Sequence, residues 1–223
     1  MFYDNCGLLK VPHVNALKFA SFLPGTPLPK DFKADFLFLV DSSQSINQEK
    51  FQMELDFVKA FARTLEIAPD KSRIGVITFG DSHALSVQFD DYNNIKSLLR
   101  GVDAVPKISG EKRLDEALYF AARVLSQVKD RTDSHKILVV LTDGKQPLGR
   151  NSLNDAARLL KQIGVKVIIV GVGGNVDIKV LETITSRLDD LFYSRSFEQL
   201  IRQVPVITDH VLVSCKLRKS LND

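Results

Sequence analysis

The sequence predicts an α/β domain built on a doubly wound, mostly parallel sheet, with helices on both faces and one antiparallel edge strand. Three observations carry this. Short, largely apolar runs recur at 36–40, 74–79, 137–141 and 165–170, as in strands covered on both faces. Segments with apolar residues three and four apart separate them, the spacing of amphipathic helices. The run 85–89 alternates with period two instead. It follows the short turn Gly80-Asp81-Ser82, which fits a hairpin to an edge strand.

The elements follow in order. Residues 1–32 form an irregular arm punctuated by Pro12, Pro24, Pro27 and Pro29, whose Phe19, Phe22, Leu23 and Phe32 need apolar partners on the domain. The first strand is Phe36-Leu37-Phe38-Leu39-Val40. Phe51, Leu55, Val58, Phe61 and Leu65 mark the first helix. After the strand 74–79 and the edge strand come a short helix near 94–99 and a longer one. The longer one carries Leu114, Leu118, Ala121, Leu125 and Val128 on one face. The strand 137–141 ends in Thr142-Asp143-Gly144. A helix over 153–163 stops at Gly164, and the strand 165–170 follows. A helix near 178–187, a short strand at 191–193 and a final helix from Phe197 toward His210 complete the pattern. Pro205 is expected to make that last helix irregular. No repeat or linker interrupts this span, so 33–215 reads as one domain and 216–223 as a tail.

Composition narrows the function. A 44% hydrophobic and 26% charged chain of 223 residues has the makings of a packed core, not of a disordered segment. A net charge of +3 is too small to argue for nucleic acid. No apolar run approaches the ~18 residues of a membrane span. The first residues lack a signal-peptide pattern, which fits an intracellular chain or one that begins after processing. Two cysteines, Cys6 and Cys215, are too few for a disulfide scaffold or a four-cysteine zinc site.

Chemistry is expected beyond the carboxyl ends of the parallel strands, where such sheets bind ligands. The first strand ends in Asp41-Ser42-Ser43-Gln44-Ser45, and the strand 137–141 ends at Asp143. If these strands are neighbours, two carboxylates and several hydroxyls converge. Those are hard oxygen donors of the kind Mg²⁺ takes. Taken alone, Asp41 and Ser45 would be read as helix caps.

Three enzyme readings fail on the residues. Gly171-Val172-Gly173-Gly174-Asn175-Val176 lacks the third glycine of a dinucleotide fingerprint. A phosphoaspartyl hydrolase needs an acid where Ser43 stands. None of His13, His83, His135 and His210 sits beside a nucleophile motif, and no Gly-x-Ser-x-Gly elbow occurs.

Asp41-x-Ser43-x-Ser45 after an apolar strand, then Arg73-Ile74-Gly75-Val76-Ile77-Thr78-Phe79, then Leu141-Thr142-Asp143-Gly144, resembles the von Willebrand factor A domain family, which includes the integrin inserted domain. The resemblance spans roughly residues 33 to 213. It implies a metal-ion-dependent adhesion site with Asp41, Ser43, Ser45 and Asp143 as ligands of Mg²⁺. It further implies a non-catalytic, secreted module of an extracellular matrix or adhesion protein, with a collagen or an acidic matrix protein as partner. Gln44, Asp81, Glu111, Lys112 and Lys145 then fall on the ligand-binding rim, with Lys107, Arg113, Arg150 and Asp103 in or near the same loops. The resemblance also implies a Cys6–Cys215 disulfide, and a final helix whose displacement is coupled to the site. An intracellular scaffold of the same family, with reduced cysteines, is the alternative.

One position departs from the family. Counting back from Ala117-Leu118 places Lys112 where the family carries a metal-binding threonine. An ammonium has no lone pair to offer a metal. Three arrangements follow: Lys112 turned outward, Glu111 supplying a replacement oxygen, or Lys112 itself pairing with Asp41 and Asp143.

Overall fold

The computed structural model describes residues 28–219 apart from 132, 145–152 and 175. Six strands form one sheet in the order β3-β2-β1-β4-β5-β6. They are β1 (Lys33–Asp41), β2 (Arg73–Phe79), β3 (His83–Val87), β4 (Ser134–Thr142), β5 (Lys166–Val172) and β6 (Leu191–Ser194). Among the described residues only the β2–β3 pairing is antiparallel, so the predicted fold class holds. Helices α1 (Gln48–Ala62), α2 (Ile95–Asp103), α3 (Leu114–Gln127), α4 (Leu153–Gln162), α5 (Ile178–Glu182) and α6 (Gln203–Lys219) cover the two faces.

The side-chain alternation of β1 explains the two layers. Phe36, Phe38 and Val40 point into a core shared with α1, α2 and α6. Leu37 and Leu39 point into the opposite core, shared with α3, α4 and α5. On the first face the ring of Phe61 meets Phe36 and Phe38 edge-on, at centroid distances of 5.0 and 5.4 Å. That contact docks α1 along β1 and fixes where the loop between them emerges. Asn47 caps α1 by accepting a hydrogen bond from the Lys50 amide at 2.8 Å, so the helix starts directly after the 41–46 loop.

The sequence differs from the structure in its details at the edges. The edge strand is 83–87 rather than 85–89, because a register shift at Val76/Ile77 moves the pairing toward the turn. The helix expected to Arg187 ends at Glu182. The last helix has two parts, a 3-10 segment (Phe197–Arg202) and then α6. Pro205 sits in the first turn of α6, where an amide has no intrahelical acceptor, so it starts the helix rather than disturbing it. Leu200, Val204 and Ile207 are buried as expected, whereas Ile201 is exposed. Helix α6 continues past Cys215 to Lys219, into the segment read as a tail. Of the N-terminal arm, 1–27 lies outside the described residues; Leu28 is buried and donates its amide to the Thr64 carbonyl at 3.0 Å.

The chain runs from β1 outward to β2 and β3, then returns to place β4 on the other side of β1. The strand order therefore reverses between β1 and β4. In open α/β sheets that reversal opens a crevice at the carboxyl ends.

Candidate ligand-binding site at the carboxyl ends of β1 and β4

Asp41 is the last residue of β1 and is wholly buried. Its Oδ1 accepts the Ser43 amide at 3.1 Å and the Ser43 hydroxyl at 2.6 Å. The Ser43 and Ser45 hydroxyls lie 3.1 Å apart. The spacing of two residues thus folds the loop back on its own aspartate. Oδ2 of Asp41 accepts the Thr142 hydroxyl, from the end of β4, at 3.0 Å. Thr142 in turn accepts the Gly144 amide at 3.2 Å, and Gly144 adopts a φ of +74° that suits glycine. Asp143 stands between them and is partly buried. The four sequence-predicted oxygen ligands therefore meet at one crevice.

Lys112 occupies its centre. Its ammonium lies 2.5 Å from Asp41 Oδ2, donates to Asp143 Oδ1, and reaches Thr142 Oγ1 at 3.5 Å. The side chain is only 4% exposed, so it is a packed part of the site. The loop that carries it is pinned on both sides. Gly110, at a φ of +97°, turns its carbonyl to accept the Gln44 amide at 2.8 Å. The Arg113 amide donates to the Gly80 carbonyl at 3.2 Å, and the Ile108 amide donates to Ser42 Oγ at 3.2 Å. Of the three arrangements open to Lys112, the structure adopts the pairing with Asp41 and Asp143. The Mg²⁺ implied by the resemblance does not fit this geometry: a cation already lies between the two carboxylates that would share the metal.

Gln44, Ser45, Asp81 and Glu111 are exposed around this centre, and Glu111 does not replace the missing threonine oxygen. Lys145 and Arg150 lie outside the described residues. The described histidines sit elsewhere. His83 opens β3 and packs on Phe120 at 4.4 Å, His135 stacks on Phe32 at 5.8 Å, and His210 meets Asp190 at 2.6 Å.

Thr142 and Glu54 escaped the sequence reading as contributors, and Lys107 was placed among the rim loops without a role. Thr142 looked like a strand end but bridges the two loops. Lys107 donates to the carbonyls of Ser42 at 2.9 Å and Ser43 at 3.3 Å. Glu54 is fully buried on α1, and neither of its oxygens finds a hydrogen-bond partner among the described residues. Burial pushes its carboxyl well above the ordinary value of 4.5, and Asp41 and Asp143 add to the rise while Lys112 and Lys107 oppose it. Its place three residues after Phe51 and four before Val58, on the apolar face, was the signal available in the sequence.

The polar loops lie at the sheet's switch point, where open α/β folds take their ligands. The chain belongs to the von Willebrand factor type A domain family, which it matches over residues 35–204. It is 32% identical over 174 residues to human collagen alpha-6(VI) chain, covering 78% of this chain and 8% of that one. It is 29% identical over 181 residues to the Caenorhabditis elegans transmembrane cell adhesion receptor mua-3, covering 78% of this chain and 5% of the receptor. The chain thus spans less than a tenth of either relative. Among solved structures it resembles proximal thread matrix protein 1 of the mussel byssus, with a zinc-occupied adhesion motif. The TM-score is 0.72 at 27% identity, over 83% of this chain and 46% of that one. Its relatives are matrix and adhesion proteins, and a metal-ion-dependent adhesion site exists in that structural neighbour.

Proposed function

We propose that this chain is a non-catalytic protein-binding module of an extracellular matrix or adhesion protein, and that its partner docks on the loops at the carboxyl ends of β1, β2 and β4. The observation that carries this reading is the convergence of Asp41, Ser43 and Asp143 at the switch point, with Gln44, Ser45, Asp81 and Glu111 exposed around them. The relatives support it: a collagen chain, an adhesion receptor and a thread matrix protein. Collagen or an acidic matrix protein is the expected partner class, and secretion the expected location. The Cys6–Cys215 disulfide belongs to the same reading. Cys215 is buried on α6, and Cys6 lies outside the described residues. Labelling both thiols without reductant would refute the bridge and favour the intracellular scaffold.

The test of the binding face uses the full chain on immobilised collagen and on polyglutamate as an acidic probe. Collagen binding that drops at least about tenfold in a Gln44→Ala/Glu111→Ala double variant, or polyglutamate binding that rises in it because an acidic rim charge is gone, with an unchanged melting curve, supports the reading. Equal binding by native protein and double variant, or no binding to either probe, counts against it.

A further inference from the structure

We propose that Lys112 is a built-in cation that replaces the divalent metal of the adhesion site, so that the strand-end face is assembled and held without metal. This deepens the binding-face reading above, but its test reads metal and not partner, so the two fail separately.

The charge arrangement comes first. β1 and β4 are hydrogen-bonded neighbours, so their terminal carboxylates share one crevice. Two carboxylates so placed repel unless a positive charge stands between them. A lysine ammonium carries three donors and no acceptor. Here three oxygens surround it: Asp41 Oδ2, Asp143 Oδ1 and Thr142 Oγ1. Its hydrogen-bonding capacity is therefore used up inside the protein. A metal in the same place would keep a coordination position for a partner's carboxylate. The ammonium keeps none.

The anchoring comes second. Lys112 reaches the crevice on a loop whose backbone is tied to the loops after both β1 and β2, through Gln44–Gly110 and Arg113–Gly80. Lys107 adds a second ammonium on the carbonyls of Ser42 and Ser43, so the 41–45 loop is held by lysines on two sides. A tethered cation acts at a fixed, high effective concentration and is not removed by a chelator. A divalent ion could enter only by driving a buried ammonium into solvent and breaking its bonds to both aspartates.

The consequence for recognition is direct. The described face presents Asp81 and Glu111 on its exposed rim, and no open metal position at its centre. Partner contact through this face relies on rim side chains and survives chelation.

The experiment is calorimetric titration of the native chain with Mg²⁺ and Mn²⁺, beside Asp41→Ala, Lys112→Thr and the double variant Lys112→Thr/Asp41→Ala. Native protein is expected to give only the heat of dilution at millimolar metal. Lys112→Thr is expected to bind Mn²⁺ with one-to-one stoichiometry, at least about tenfold tighter than native, and the double variant to lose that gain. Metal binding by the native chain that Asp41→Ala abolishes overturns the proposal, and this arm needs no folded threonine variant. A folded Lys112→Thr variant without any gain also overturns it, because Lys112 would then not be what excludes the metal.

Discussion

β1 carries a buried aspartate at each end, and the two ends have opposite designs. At the amino end, Asp35 Oδ1 accepts Arg73 Nε and Arg131 Nη2, each at 2.7 Å. Arg131 also donates to the carbonyls of Pro69 and Lys71, at 3.0 and 2.8 Å. Planar guanidinium forks from β2 and from the segment before β4 thus tie three parts of the chain to one carboxylate. At the carboxyl end, Asp41 is met by short hydroxyls and a single lysine arriving on a loop. The first end is a clasp between structural elements. The second is made of small donors and one packed lysine ammonium, surrounded by exposed loop residues. Burial of an aspartate therefore does not separate a fold-holding site from the proposed binding site. The identity of its partners and the end of the strand it occupies do.

Five substitutions break or sharpen this contrast. The largest effect is expected for Asp35→Ala, which takes the shared buried carboxylate from two arginines of little exposure, leaving Arg73 only the exposed Asp90 and Arg131 only neutral acceptors, and costs about 3–5 kcal/mol of stability in a urea melt, with or without metal. Lys112→Ala is expected to cost about 3 kcal/mol in EDTA, the low end of that range. Three donors remain on Asp41 there: the Ser43 amide and the Ser43 and Thr142 hydroxyls. If its cost equals or exceeds that of Asp35→Ala, the two ends are not different in kind.

Glu54→Gln tests the layer beneath the site. Burial raises the carboxyl of Glu54 well above its ordinary 4.5. The folded chain thus binds a proton that the unfolded chain releases as pH rises. Native stability from this group is complete below about pH 4.5 and falls by about 1.4 kcal/mol per pH unit above it, until the folded carboxyl ionises. The glutamine variant, which cannot ionise, should melt higher than native at pH 7 and equally at pH 4. A stability difference independent of pH would contradict this origin. The smallest stability effects are expected on the rim, where Gln44→Ala and Glu111→Ala shift stability by less than about 0.5 kcal/mol while weakening partner binding.

The sheet was legible because buried parallel strands leave continuous apolar runs, and β1, β2, β4 and β5 are all of that kind. The two-aspartate crevice was legible because both residues follow such runs directly. The edge elements were less so. β3 begins at His83 because pairing after the Val76/Ile77 shift sets its position, not its own alternation. Lys112 could be placed in the sequence, but not aimed. Its direction depends on the Gly80 carbonyl and the Gln44 amide, which belong to other loops. Glu54 was passed over because a single acid on an apolar helix face looks like an interruption, and only the packing shows that it lies wholly inside.

The claim at the centre of this account is that Lys112 stands where the metal would be. A crystal structure of the native chain grown in excess Mn²⁺, with anomalous data collected at the manganese edge, tests it most directly. The account predicts Lys112 density between Asp41 and Asp143 and no anomalous peak there. A manganese peak within coordination distance of Asp41, Ser43 and Ser45, with Lys112 turned to solvent, would contradict it.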